Sequence, residues 1–514
     1  MTIFKLLYIY YNTLPNETFY RGIYIKIIIN FHNVVAYAFK ECYFLYEYKF
    51  KLRKLLSERR IMTTDMTTGN PVKLILLFSI PLLIGNIFQQ FYSMADTIIV
   101  GRFLGVKSLA AVGSTGSLTF LILGFIMGLS SGFSVLVSQR FGANDDEGVR
   151  FAVGNAVILS IISTVIITTI STILAKPLLL MINTPVDIID EAYKYLSVIF
   201  LGMSSAFFYN TMSSILRALG DSKTPLYFLI IACILNIILD LVFITIFKIG
   251  ITGAALATVI SQGVSGLLCL IYTSKKFPIL KLEKKHFILD KELCKSHLSI
   301  ALPMALQFSI TAIGTIVLQS AINSFGSIAV AANTASIKVE QLVMQPSVTF
   351  GVTMATYVAQ NLGAGNIKRI DEGVKKCTMI NVVIGIIGGI VLILFGESII
   401  KIFVSNPDSQ VLAYARQYLT IEAFFLIPLS LIFIYRNTLQ GMGHTFMPMM
   451  AGVCELVSRT MVAFTLPSII GYTSICIAGP VAWVAAIIPL FITYNKKIRL
   501  LLKENTYTEI STYN

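Results

Sequence analysis

Between Lys73 and Arg102 the chain carries a single charged residue, Asp96, in a run that is otherwise apolar or uncharged polar. Such a run is long and apolar enough to cross a bilayer. Inside hydrocarbon every backbone N–H and C=O must find a partner, which leaves helices or closed barrels as the only spanning structures. Runs of this length predict helices. About eleven more follow, giving segments at roughly 72–100, 108–138, 149–175, 189–218, 225–248, 251–274, 296–322, 328–362, 371–396, 410–440, 447–470 and 472–494. The fold class expected is therefore an all-α integral membrane protein with about twelve transmembrane helices. Composition agrees, since 56% of the 514 residues are hydrophobic and 13% charged, which excludes an ordinary soluble domain.

The formal net charge of +14 invites a nucleic-acid reading. The basic residues lie instead in short loops between apolar segments, as positive-inside topology requires, so no nucleic-acid partner is expected. Loops after even-numbered segments, with the C-terminal tail, hold roughly 20 Lys and Arg against roughly 7 after odd-numbered ones. Both termini are then cytoplasmic, in a multi-pass protein of the cell membrane. Seven cysteines show no metal-type spacing and read as packing thiols. No G-x-x-x-x-G-K-[ST] motif occurs, so an ATPase of that type is not expected.

The halves repeat. Ser138-Gln139-Arg140-Phe141-Gly142-Ala143 is echoed by Ala359-Gln360-Asn361-Leu362-Gly363-Ala364, and Gly105 with Ala110-Ala111 by Gly326 with Ala331-Ala332. Pro81 and Pro303, and Gly220 and Gly443, keep nearly the same offset. Four echoes in one order indicate two pseudo-symmetric six-helix bundles. Six crossings per copy is even, so the copies form a parallel repeat about an axis near the membrane normal. The expected division is a leader at 1–65, of uncertain status because translation could begin near Met62 or Met66, a first lobe at 66–274, a cytoplasmic loop at 275–295, a second lobe at 296–494 and a tail at 495–514.

Polar residues inside apolar segments are costly and mark function. On the first segment Asn86, Gln89, Gln90, Ser93, Asp96 and Thr97 share roughly 120° of helical face, a face lipid would reject. Asn236 and Asp240 lie one turn apart on the fifth segment. Asp96 and Asp240 fall about 9 and 12 Å from the same outer end, and Thr258 on the sixth segment comes to about 12 Å. Two carboxylates, an amide and a hydroxyl at one level suit a monovalent cation or a shared proton. The plainer alternative is that these groups only satisfy one another. In the second half, Glu455 and Arg459 lie one turn apart and are expected to pair within their helix. Glu340 is a candidate to join Arg459 across helices, and Lys338 completes the charged set without sharing Glu340's face. His32, His286, His297 and His444 fall in or near predicted loops or the leader and are given no relay role.

The ending M-A-D-T-I-I-V-G-R-F-L-G of the first segment, R-A-L-G-D-S-K-T-P at Arg217–Pro225, N-I-I-L-D and G-A-A-L-A-T-V-I-S-Q together resemble the MATE family of multidrug and toxic compound extrusion transporters. With E-L-V-S-R, the texture is most similar to the MepA-like subgroup, over about Met66 to Leu501. The resemblance implies two bundles forming a V around a cavity, and export of small-molecule drugs and organic cations against Na⁺ or H⁺. It implies a first-lobe cation site at Asp96, Asn236, Asp240 and Thr258, and a bend at Pro81. The acid some subgroups carry on the seventh helix is missing, since residues 303–323 contain none. The function expected is multidrug antiport, with a lipid-linked oligosaccharide flippase of the same architecture as the alternative. No cofactor is expected beyond the coupling ion, no enzymatic role, and no partner beyond drugs and the bilayer. The protein is expected to be a monomer.

Overall fold

Asn70 opens the first helix by accepting a hydrogen bond from the backbone N–H of Lys73 at 3.2 Å, with Pro71 in the first helical position. An amide cap followed by a proline that needs no N–H partner is a strong helix start. In the computed structural model, which describes residues 64–182, 184–403 and 408–513, this helix (α1, Pro71–Leu104) runs unbroken through Pro81. Most of the expected leader lies outside the described residues.

The first bundle continues with α2 (Val106–Gly142), α3 (Asp146–Met181), α4 (Ile189–Leu201), α5 (Met203–Ala218), α6 (Lys223–Leu241) and α7 (Ile251–Lys276). The second contains α8 (Lys291–Asn323), α9 (Ser327–Gly363), α10 (Ile367–Phe403), α11 (Ser409–Gly441), α12 (Phe446–Thr465) and α13 (Thr473–Tyr513). Helices α4 and α5 form one segment bent by 45° at Gly202, so the described residues form twelve long helical segments, in two lobes of six. Among the described residues, nine helices are long and apolar enough to cross a membrane alone, and the bent pair makes a tenth. Helix α9 is long but more polar, and buries Asn333, Glu340, Gln360 and Asn361 among its neighbours. Helix α13 continues well past residue 494, through much of what the sequence suggested was a tail.

The repeat is written into the backbone. Gly105 and Gly326 join successive helices at φ +88° and +86°, a left-handed conformation that only glycine adopts cheaply. The same offset relates Asn144 to Gly365 and Gly250 to Gly471, all at positive φ.

Each lobe takes part of the other into its core. Ile75 and Phe78 of α1 are buried in the second lobe's cluster, and Ala301 and Ala305 of α8 in the first's. Helices α2 and α8 approach most closely along a glycine stripe. A Cβ at Gly124 would meet Phe308 Cβ at 3.3 Å, and one at Gly128 would meet Ala305 Cα at 2.5 Å. Further along, Gly132 lies against the Ala301 backbone and Gly142 against the Gln360 carbonyl. Two and three turns in the other direction, at Gly116 and Gly113, a Cβ would meet nothing within 4 Å. Polar contacts between α1 and α9 follow the same gradient. Ser79 bonds Thr353 at 2.8 Å and Asn86 donates to Thr349 at 3.1 Å, whereas Gln89, Ser93 and Thr97 are exposed. The lobes meet at one end and diverge toward the other.

The closed end is tied reciprocally. Gln139, at the end of α2, donates to the Gly441 carbonyl at 3.0 Å, and its repeat partner Gln360 donates to the Ala218 carbonyl at 2.8 Å. Gly363 packs on the Gln139 carbonyl just as Gly142 packs on that of Gln360. The loop before α8 docks on α3 at the same end. Asn155 donates to the Ile288 carbonyl and accepts from Asp290 N, while Arg150 holds the Ile279 carbonyl. Lys285 Nζ donates to Glu147 at 2.7 Å, and this hydrogen bond holds the ammonium above its usual range.

Candidate functional site

Three helices of the first lobe bring four of the sequence-selected groups together. Asp96 comes from α1, Asn236 and Asp240 from α6, and Thr258 from α7. Asn236 and Asp240 are fully buried and Asp96 nearly so. With the Asn236 amide turned to match its neighbours, its NH₂ donates to Asp240 Oδ2 at 3.2 Å and its oxygen accepts from Thr258 N at 3.2 Å. The Asp96 and Asp240 carboxyls come within hydrogen-bonding reach of each other. Each keeps one buried oxygen, Oδ1, without a protein partner.

That arrangement is chemically incomplete. Two carboxylates in contact away from water repel unless a proton or a cation lies between them. Their unpartnered oxygens, with the Thr258 hydroxyl, are hard donors suited to a monovalent cation. Directly after Asp240 the helix widens into a π turn at Val242–Ile246, and Thr245 donates back to the Leu241 carbonyl. Such turns often sit beside functional groups because they displace the backbone locally.

Two tyrosines that sequence reasoning passed over complete this pocket. Tyr92, one turn before Asp96 on α1, donates to Thr258 Oγ1 at 3.2 Å. Tyr195 of α4 is buried within electrostatic reach of Asp96, Asp240 and Tyr92. The i, i+4 spacing of Tyr92 and Asp96 was a readable signal; nothing in the sequence placed α4 against them. On the first-helix polar face, Asn86 is half-buried on α9, while Gln89 and Ser93 are exposed and Gln90 is half-buried.

The second lobe rearranges the charged set. Glu455 pairs with Arg436 of α11, not with Arg459 on its own helix, and both partners are buried. An i, i+4 pair gains little over a partner on a facing helix when that partner is already buried and needs neutralising. Arg459 lies within electrostatic reach of Glu340 and of Glu422, a buried acid of α11. Glu340 accepts from Tyr418 Oη at 2.9 Å, and Glu422 stands one turn beyond Tyr418 with Oε2 unpartnered. Lys338 is exposed and takes no part in this cluster. Glu422 and Arg436 were both visible as charges inside the tenth apolar run, the same signal that selected Asp96. His297 is not in a loop; it is buried within α8, edge-on to Phe133 of α2. His286 is also buried, accepting from Glu283 N and meeting Glu147 at 3.2 Å in the docked loop.

A family model described as MatE matches residues 81–242 and again 303–465, once in each lobe. A "Probable multidrug resistance protein YpnP" of Bacillus subtilis is 31% identical over 383 residues, covering 74% of this chain and 84% of that protein. A "Multidrug export protein MepA" of Staphylococcus haemolyticus is 23% identical, covering 85% of this chain and 96% of that one. A solved structure described as "Crystal structure of MATE in the bent conformation" superposes with a TM-score of 0.81 at 25% identity, covering 87% of this chain and all of that one.

Proposed function

The chain belongs to the MatE family of transporters, and on that premise we propose that it exports amphipathic, often cationic drugs by antiport with Na⁺ or H⁺. The relatives named as multidrug proteins supply the substrate class. The observation that carries the coupling is the buried Asp96–Asp240 pair with an unpartnered oxygen on each acid. Asp96, Asn236, Asp240 and Thr258 hold the ion, and Tyr92 and Tyr195 wall the pocket.

The mechanism follows from the geometry of the lobes. The closed end carries Arg140, Arg150, Lys275, Lys276, Arg369 and the lysines of the loop before α8, which makes it cytoplasmic by the positive-inside rule. On this reading the conformation is open outward in the cell membrane, with both termini on the cytoplasmic side. A cation or proton entering from outside offsets one of the two charges of the Asp96–Asp240 pair, relieves their repulsion and favours release of drug outward. One charge moving inward gains about 2.3 kcal/mol per 100 mV of membrane potential, which together with its concentration gradient drives export. We take the working unit to be a monomer; the packing of each lobe against helices of the same chain is consistent with that reading. A flippase of anionic lipid-linked sugars calls for a basic cleft; here Arg436 and Arg459 both face buried acids.

The test is ethidium accumulation in everted membrane vesicles, with a Na⁺ gradient and a pH gradient imposed separately. Wild type should accumulate ethidium under one of them, and Asp240→Asn should lose gradient-driven uptake while remaining folded. Full transport by Asp240→Asn would remove the pair from the mechanism.

A further inference from the structure

The segment that leads into α1 crosses the closed end and is held by the opposite lobe. Met66 is fully buried, and its backbone N–H donates to Gln360 Oε1 at 3.1 Å. Its carbonyl accepts from Asn361 Nδ2 at 3.0 Å and from Arg369 Nε at 3.2 Å. Arg369 Nη1 reaches the Gly69 carbonyl at 2.7 Å, and Asn366 reaches that of Thr67 at 3.3 Å. On the first lobe, Thr64 N donates to the Gly220 carbonyl at 3.0 Å, and the Thr64 backbone lies against Gly220. Asp65 shapes the strap locally by accepting from Thr67 N and from the Thr67 and Thr68 hydroxyls.

We propose that residues 64–70 are a latch that holds the two lobes together at the closed end and must release before that end opens, with Arg369 as its anchor. The side chains that grip it (Gln360, Asn361, Asn366 and Arg369) come from the end of α9, the turn after it and the start of α10, in the second lobe. Its continuation, α1, packs on α6 of the first lobe, and Thr64 is bonded to the turn after α5. Opening the closed end separates the start of α10 from that turn, so the strap cannot keep both sets of bonds. Gln360 links this event to the reciprocal pair described above, since one amide accepts from Met66 N and donates to Ala218 O.

The loop before α8 is placed alike but works differently. It docks on α3 of the first lobe, and it continues directly from α7 of that same lobe, so it can move with the first lobe intact. The strap has no such option, because the groups that grip it lie across the gate. Arg369 is also braced: its guanidinium lies 5.9 Å from the centre of the Tyr357 ring, and its carbonyl accepts from Tyr357 Oη at 2.9 Å.

This inference rests on alternating access of the two lobes, and its test reads conformation without drug or ion gradient. Spin labels are placed in a cysteine-free background at Asp146→Cys on α3 and Lys375→Cys on α10, both at the closed end, and distances are measured by pulsed electron resonance. Arg369→Ala removes two donors to strap carbonyls and should raise the long-distance, inward-open population about tenfold. Asn361→Ala removes one donor and should act in the same direction, more weakly, and it stands as the test if Arg369→Ala fails to fold. Lys376→Ala, half-buried on α10 away from the strap and paired with Glu372 of the same helix, should leave the distribution in place. Unchanged distances in every folded strap variant would overturn the latch. Loss of ethidium transport alone would count against the export reading and leave the latch standing.

Discussion

Replacing Gly128 by alanine adds one methyl group where α2 touches α8. The new Cβ would lie 2.5 Å from Ala305 Cα, 2.7 Å from Ala305 N and 2.8 Å from the Met304 carbonyl carbon. Ordinary carbon contacts begin at about 3.5 Å, so the helices must part by about 1 Å. All three neighbours are backbone atoms, and no side chain can turn aside to relieve the clash. Overpacking of this kind costs about 1–3 kcal/mol. The cost is borne only while the lobes are closed at this end, which corresponds to a shift of about 5- to 150-fold toward the conformation open there. The assay is the same pair of spin labels on α3 and α10, read in detergent and again in vesicles. Gly116→Ala supplies the control on the same helix: nothing lies within 4 Å of its Cβ, so it should leave the distances alone. Both substitutions gain up to about 1 kcal/mol of helix propensity, so that contribution cancels in the comparison. Equal distance distributions for the two variants would refute the claim that the glycine stripe sets how closely the lobes meet.

Two further outcomes follow from the second lobe. Arg436→Leu leaves Glu455 buried without its partner and should cost about 3–5 kcal/mol, whereas Arg436→Leu with Glu455→Leu should recover most of the loss; thermal unfolding of the purified protein reads both. Glu422→Gln removes one of two acids facing Arg459 while keeping the shape, so it should leave stability nearly unchanged, within about 1 kcal/mol, and alter the pH dependence of ethidium transport. An unaltered pH profile would confine Glu422 to packing.

How far the fold could be read from the sequence depended on how local each signal is. A spanning helix is announced by its own residues, so the apolar runs located all twelve segments. The repeat was equally legible, because the left-handed turns at Gly105 and Gly326 demand the same residue in both copies. The 45° break at Gly202 was not, since glycine occurs inside many of these helices and only its packing against Val259 distinguishes this one. For the site, depth arithmetic brought Asp96, Asn236, Asp240 and Thr258 to one level, because each run's outer end lies at the same membrane surface and the rise per residue then fixes depth. Partner choice among buried charges is a different matter. Glu455 had a neighbour one turn away in Arg459, but α11 carried a buried arginine that also needed a partner, and the facing pair won. Sequence spacing measures proximity along one helix and is silent about which helices face each other.

The closed end was the least legible part, for a reason the repeat itself makes clear. Gln139 and Gln360 stand at equivalent positions, yet each one's acceptor lies in the opposite lobe, at Gly441 and Ala218. A repeat shows that two residues do the same thing; it does not show what they do it to. Once both acceptors are known, the symmetry becomes informative, because a bond made reciprocally across a pseudo-twofold axis breaks on both sides when the lobes separate. The side chains that grip the strap at residues 64–70 come from the second lobe alone. Breaking the reciprocal pair therefore destabilises the closed end evenly, whereas breaking the strap frees α10 from α1 first. Gln139→Ala and Arg369→Ala should then both populate the inward-open state, with α1 displaced from α9 only in the second. Equal displacement of α1 in both variants would mean that the strap follows the gate and does not hold it.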